Sequence, residues 1–263
     1  MSPVAEQLSI HQLDPADQTG PLAGEQILLI HGFASNPRLN WQATGWVKDL
    51  LAASASLHLL TLPYHQAANP SPLGSLVYQC RPPLEEGLIP ALGQAILPYL
   101  ENLPKPVHLL GYSLGARICW QLASQQPQLA QSLTAGALPT ENHFQPLHQG
   151  LLTLAAQPSS DPKALLGPFA PLLAASPLPL ADLTRFTSFP ASPLELTPLP
   201  SCPTLLFRGS EDTIASGSRG AYQLLAEKPA SWLEQEGRDH LNILTSRFIK
   251  QKVYRFIEAS SQG

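Results

Sequence analysis

Three side chains have the types and the chain order that nucleophilic acyl chemistry needs. Ser113 stands in Gly111-Tyr112-Ser113-Leu114-Gly115, Asp212 ends Gly209-Ser210-Glu211-Asp212, and His240 ends Gly237-Arg238-Asp239-His240. A serine hydroxyl is a weak nucleophile at neutral pH until a base takes its proton, and the base needs an acid to fix its tautomer and balance its charge. The flanking glycines have a steric reading. A serine at the tip of a tight turn sits in strained backbone, and side chains two positions before and after it would strike the neighbouring strand and helix. Leu114 follows at a helix start, where unpaired N–H groups and the positive end of the dipole favour charge developing on a carbonyl oxygen. Gly-x-Ser-x-Gly alone is also an ordinary turn pattern, so its context must decide.

That context is present. Val107 to Leu110 is an apolar run ending on Gly111, and Ala116, Ile118, Cys119, Leu122 and Ala123 follow at helical spacing, so strand, sharp turn and helix surround the serine. Glu25 to Ile30 reads as a buried strand that closes on His31-Gly32-Phe33-Ala34. Ligands of open α/β sheets gather beyond the carboxyl ends of the strands. The backbone of Phe33 is therefore the expected second oxyanion donor beside Leu114, with Ala34 the alternative one position on. His31 is expected to brace its own turn.

The rest of the chain supplies a sheet to hold these loops. A short edge strand near Leu8 to Leu13, helical spacing from Trp41 to Ala53, and an apolar strand from Leu57 to Leu62 ending at Pro63-Tyr64-His65 come first. A loop rich in proline and serine spans Asn69 to Pro83, and a helix over Leu84 to Leu100 should bend near Pro90 or Pro98. Later strands are expected at Gln131 to Leu138, Pro203 to Arg208 and Ser231 to Glu236, with helices at Ala221 to Lys228 and Ile243 to Ala259. Alternation at these lengths needs crossovers, which predicts a mostly parallel sheet flanked by helices.

Residues 140 to 201 differ in texture. They are dense in proline and leucine, poor in charge, and carry short helical pieces such as Lys163 to Ala174. So apolar a stretch is costly to leave in water and must cover something, which predicts a lid. Phe144, Leu147, Phe169, Phe186 and Phe189 would line its pocket or form its own core. The expected organisation is a core in two parts, 1–139 and 202–263, with the lid 140–201 inserted before the strand that carries the acid.

Of the eight histidines, His11, His58, His108, His143 and His148 fall in strands or in the lid without a strand-end position. His65 ends a strand, and loop packing or substrate contact is expected of it. His240 is the base by position. Asp212 is preferred as the acid over Glu211 and over Asp239, since a sequence neighbour rarely reaches the far nitrogen of the adjacent imidazole. Asp239 should shape the loop or cap the last helix.

Composition narrows the partners. Charged residues are 13% of the 263, the formal net charge is −4, and no run of like charges occurs, so no nucleic-acid surface or polybasic membrane patch is indicated. A small-molecule substrate that is not polyanionic is expected. The first thirty residues lack a basic start and a long apolar stretch, and no run of about 18 apolar residues suggests a membrane span. Cys80, Cys119 and Cys202 are odd in number and lack metal-ligand spacing, which fits reduced thiols and a cytoplasmic location. Cys119 should be a small core residue. No metal and no organic cofactor is called for, and oligomeric state is not legible.

From about Glu25 to Ile257 the chain resembles the α/β-hydrolase superfamily: His31-Gly32-Phe33 is similar to its oxyanion loop, Gly111 to Gly115 to its nucleophile elbow, Gly209 to Asp212 to its acid turn, and Gly237 to His240 to its histidine loop. Within it, Gly-Tyr-Ser-Leu-Gly-Ala-Arg is similar to the elbow of compact lidded bacterial enzymes. These include carrier-ester carboxylesterases, meta-cleavage C–C hydrolases and the menaquinone-pathway succinyl-hydroxycyclohexadiene carboxylate synthase. In the last group the tyrosine and arginine of the elbow serve an anionic substrate, so the resemblance implicates Tyr112 and Arg117 in substrate binding. The chain departs from the family where Pro63-Tyr64-His65-Gln66 replaces the usual Pro-Gly-His-Gly. The resemblance and the triad together imply a serine hydrolase of small esters or thioesters. The alternatives are C–C cleavage or elimination with the same residues, or a binding module without chemistry.

Overall fold

The structure, a computed structural model, describes residues 7–66, 76–79, 87–104, 106–191 and 194–262. The strands are β1 (Gln7–Leu13), β2 (Gln26–Ile30), β3 (Ser56–Thr61), β4 (Leu76–Gln79), β5 (Val107–Tyr112), β6 (Ala130–Gly136), β7 (Thr204–Gly209) and β8 (Ala230–Gln235). The helices are α1 (Trp46–Ala52), α2 (Leu88–Leu100), α3 (Leu114–Gln125), α4 (Phe144–Ala156), α5 (Pro162–Leu166), α6 (Ala170–Ala175), α7 (Leu180–Thr187), α8 (Ser218–Gln223) and α9 (Arg247–Ser261).

Among the described residues the strands form one eight-stranded sheet in the order β4-β1-β3-β2-β5-β6-β7-β8. From β3 through β8 every neighbouring pair is parallel, and β1 runs antiparallel to both β3 and β4. A parallel strand is covered on both faces, which is why these segments read as unbroken aliphatic runs. Successive side chains divide between the faces. Leu28, Ile30, Leu109 and Leu206 join one buried cluster with Leu92 and Ile96 of α2 and Ile118 and Leu122 of α3. Ile27, Leu29, Leu110 and Phe207 join the other, with Trp46 and Leu50 of α1 and Ile249, Val253 and Ile257 of α9.

Four local expectations change. The helix expected at Ala221 to Lys228 is α8, Ser218–Gln223. The one expected at Ile243 to Ala259 divides at Ser246 into a 3-10 turn, Ile243–Thr245, and α9. The helical spacing from Trp41 to Ala53 is not one helix, because Gly45 adopts φ 85° and separates a π-helical turn, Arg38–Gln42, from α1. Lys163 to Ala174 likewise breaks into α5, a 3-10 turn at Gly167–Phe169, and α6. Most of the expected loop from Asn69 to Pro83 lies outside the described residues, as do Cys80 and positions 84–86. Its described part, β4, is a strand.

Between β6 and β7 the chain leaves the sheet and forms α4 to α7. Phe144, Leu147, Leu151, Leu166, Leu183 and Phe186 from these helices are buried in the same cluster as Phe33 and Leu114. Their apolar faces thus meet the loop after β2 and the start of α3. No helix among the described residues is long and apolar enough to cross a membrane. Cys119 and Cys202 are free and buried, and burial pushes both thiols up, the second to about 11, as expected of packed cysteines.

Candidate active site

The turn after β5 sets the position of Ser113. Its backbone has φ 54°, a left-handed conformation that costs a residue with a Cβ about 1–3 kcal/mol unless its surroundings enforce it. Here they do. The Ser113 amide donates to the Gly136 carbonyl at 2.8 Å, and α3 begins at the next residue. A Cβ on Gly115 would fall on the Ile30 carbonyl, so glycine is what lets the first turn of α3 lie against the end of β2.

His240 reaches Ser113 from a loop 127 residues away in sequence. Its Nε2 lies 2.9 Å from Ser113 Oγ, and its Nδ1 lies 2.8 Å from Asp212 Oδ2. All three residues are buried. The other carboxylate oxygen of Asp212 accepts the amides of Ile214 and Ala215, each at 3.0 Å, which leaves Oδ2 to face the imidazole. The acid and histidine loops are in backbone contact: the Glu211 amide donates to the Arg238 carbonyl at 2.9 Å, and a Cβ on Gly209 would strike that carbonyl. Asp239 accepts the amides of Leu241 and Asn242, both at 2.8 Å, so it shapes the loop and does not cap α9, whose N-cap is Ser246.

The loop after β2 is braced on both sides of Phe33. The Gly32 amide donates to Asn40 Oδ1 at 2.8 Å, and the Ala34 amide donates to His65 Nε2 at 3.2 Å. The Ala34 N–H is thus engaged by the imidazole, while Phe33 and Leu114 both border the cleft beside Ser113. His31 is arranged as His65 is. Its Nε2 accepts the Leu62 amide at 3.1 Å and its Nδ1 donates to the Gly32 carbonyl at 2.8 Å, which bears out its bracing role. Burial, with the His65 charge next, pushes its pKa down to about 3.

Three expectations for substrate contact meet prior commitments. His65 is fully buried, accepts the Ala34 amide and donates from Nδ1 to the Pro63 carbonyl at 2.8 Å. Both ring nitrogens are thus used in holding the loop. Burial takes its pKa down to about 4. The Tyr112 hydroxyl donates to the His240 carbonyl, and its ring lines the cleft wall. Burial, then Asp212 and Asp239, raise that phenol well above its ordinary value, so it stays a donor. Arg117 is 3% exposed and borders the cleft by Ser113, but its Nη1 donates to the Glu141 carbonyl at 3.2 Å. Burial lowers its pKa to about 10.

The aromatic residues divide. Phe144, Leu147 and Phe169 line the cleft beside Ser113, whereas Phe186 is fully buried against Phe33, Phe144 and His65 and belongs to the core. Phe189 packs on Tyr64 at 6.0 Å. His143 joins the same cleft. In the sequence it has no strand-end position. Its closeness to the end of β6, beside the strand that carries the serine, was the available signal.

A hydroxyl, imidazole and carboxylate in series let the hydroxyl lose its proton as it attacks. Among the described residues no group of three or more His, Cys, Asp or Glu could hold a metal ion.

The model of the alpha/beta hydrolase family matches residues 27–247, and the chain belongs to that family. No curated protein matches it in sequence. Solved structures share its fold. A carboxylesterase of the ammonia-oxidizing thaumarchaeon Nitrososphaera gargenis superposes with a TM-score of 0.69 at 13% identity, covering 97% of this chain and 96% of that one. The putative non-heme bromoperoxidase BpoC of Mycobacterium tuberculosis gives 0.68 at 14% identity over 96% of each chain. The monoacylglycerol lipase of Paleococcus ferrophilus gives 0.59 at 18% identity, covering 97% and 99%.

Proposed function

We propose that this protein is a serine hydrolase of small carboxylic esters or thioesters that works through an acyl-enzyme. The observation that carries the reading is the continuous hydrogen-bonded path from Ser113 Oγ through His240 to Asp212, at 2.9 and 2.8 Å. His240 Nε2 takes the Ser113 proton as Oγ attacks the carbonyl carbon, and Asp212 holds the resulting imidazolium. The Phe33 and Leu114 amides hold the oxyanion. Collapse of the tetrahedral adduct breaks the bond to the leaving group, which takes its proton from His240. Water, deprotonated by the same imidazole, then releases the acid. Residues 140–201 act as the lid that covers the site. Names such as carboxylesterase and monoacylglycerol lipase among the structural neighbours agree with this reading.

Ser113→Ala should reduce p-nitrophenyl acetate and butyrate turnover by about 10⁴-fold or more, and abolish labelling by a fluorophosphonate probe. Unchanged turnover in the variant would refute the proposal. A burst of p-nitrophenol in the wild type marks the acyl-enzyme, and an enzyme restricted to elimination gives none.

A further inference from the structure

Ser113 borders two clefts of very different size. The outer one holds a cavity of about 150 Å³ walled by Leu39, Tyr112, Leu172, His240 and Leu241, the last of them 42% exposed at its rim. The inner one holds about 20 Å³ among Leu114, Arg117, Phe144, Leu147 and Phe169. A single water occupies roughly 10–15 Å³ of such space, and a cavity of about 150 Å³ accepts a benzene ring. The inner cleft therefore has room for about one or two carbons, and the outer cleft for a ring.

The chemistry of the site assigns the two spaces, provided the hydrolase reading above holds. The leaving oxygen takes its proton from His240, which borders the outer cleft and not the inner. The oxyanion goes to the amide of Leu114, which borders the inner cleft and not the outer. We propose that this enzyme is selective for a short acyl group, acetyl or propionyl, held in the inner cleft, and takes an alcohol up to the size of an aromatic ring in the outer. Arg117 is the stop at the end of the acyl cleft. It is the residue that this cleft shares with a third cavity of about 90 Å³, which lies against Leu88 and Ile89 of α2 and Gln121 of α3. Arg117 is 3% exposed and its Nη1 donates to the Glu141 carbonyl at 3.2 Å, so the side chain is tied where the two spaces adjoin. A longer chain has to displace it or the buried Leu147, and a packed interior resists added methylenes.

The test pairs two isomers, benzyl acetate and methyl phenylacetate, which carry the same ring on the alcohol or on the acyl side and release alcohols of similar acidity. The wild type should favour benzyl acetate by about tenfold or more in kcat/KM, and p-nitrophenyl acetate over the hexanoate by a similar factor. Arg117→Ala, which opens the inner cleft toward the third cavity, and Leu147→Ala, which widens it from the lid side, should each raise hexanoate relative to acetate severalfold. A fluorophosphonate label counts the competent sites in each variant, and the wild-type ratios decide the acyl limit whatever the variants' stability. Hexanoate turned over as well as acetate, or a preference for methyl phenylacetate, overturns the assignment. So does an acetate-to-hexanoate ratio that both labelled variants leave unchanged. If the wild type hydrolyses none of these esters and takes no label, the hydrolase reading itself has failed.

Discussion

The hydroxyl of Tyr112 acts on the site through the backbone of another residue: it donates to the His240 carbonyl while its ring packs on Phe207 at 6.3 Å. Tyr112→Phe keeps that packing and removes one buried hydrogen bond, a loss of about 1 kcal/mol. Because the bond restrains the loop that carries the imidazole, kcat should fall about three- to tenfold while KM changes less. Steady-state kinetics on a chromogenic ester would check this. An unchanged kcat would mean that the loop keeps its position without the tie.

At the scale of elements, the loop after β2 and the helices over it form one packed unit. Phe186 of α7 has no exposed surface, with ring centroids 6.1 Å from Phe33, 5.7 Å from Phe144 and 4.6 Å from His65. The Phe33 ring is thus held among aromatic neighbours while the residue borders the cleft. Phe186→Ala should destabilise the protein by about 3–5 kcal/mol through lost burial and the cavity left behind. The urea midpoint would report it. A loss below about 1 kcal/mol would mean that α7 moves in to fill the space, and that the loop after β2 does not depend on it.

For the whole molecule, three interior histidines tie stability to pH. Burial pushes His31 down to about 3 and His58 and His65 down to about 4, whereas each would titrate near 6.5 in the unfolded chain. Below pH 6.5 the unfolded chain binds these protons and the folded chain does not, so stability falls as pH falls, until the folded values near 4 and 3 are reached. Each group contributes about 1.4 kcal/mol per pH unit within that window. Urea midpoints should drop steeply between pH 6.5 and 4.5, and a flat profile would contradict the neutral, buried state of the three rings.

The elbow at Gly111 to Gly115, the parallel runs on either side of it, and the order Ser113, Asp212, His240 were legible in the sequence. Each is a local pattern: a compact aliphatic strand, a glycine where a Cβ would collide, a polar loop at a strand end. The break at Gly45 was less legible, because a glycine is also tolerated inside a helix and only its φ of 85° shows which it is. Whether His65 meets a substrate or holds the Ala34 amide depends on where a loop 31 residues earlier comes to lie. The Tyr112 hydroxyl likewise finds its acceptor 128 residues away, and His143 gains its place beside Ser113 because β6 pairs with β5. The sequence by itself determined which residues could do chemistry and the strands that carry them, because backbone propensity and periodicity act over a few residues. Tertiary structure alone decided which polar atoms were already occupied, because hydrogen-bond partners and strand neighbours are contributed by distant segments.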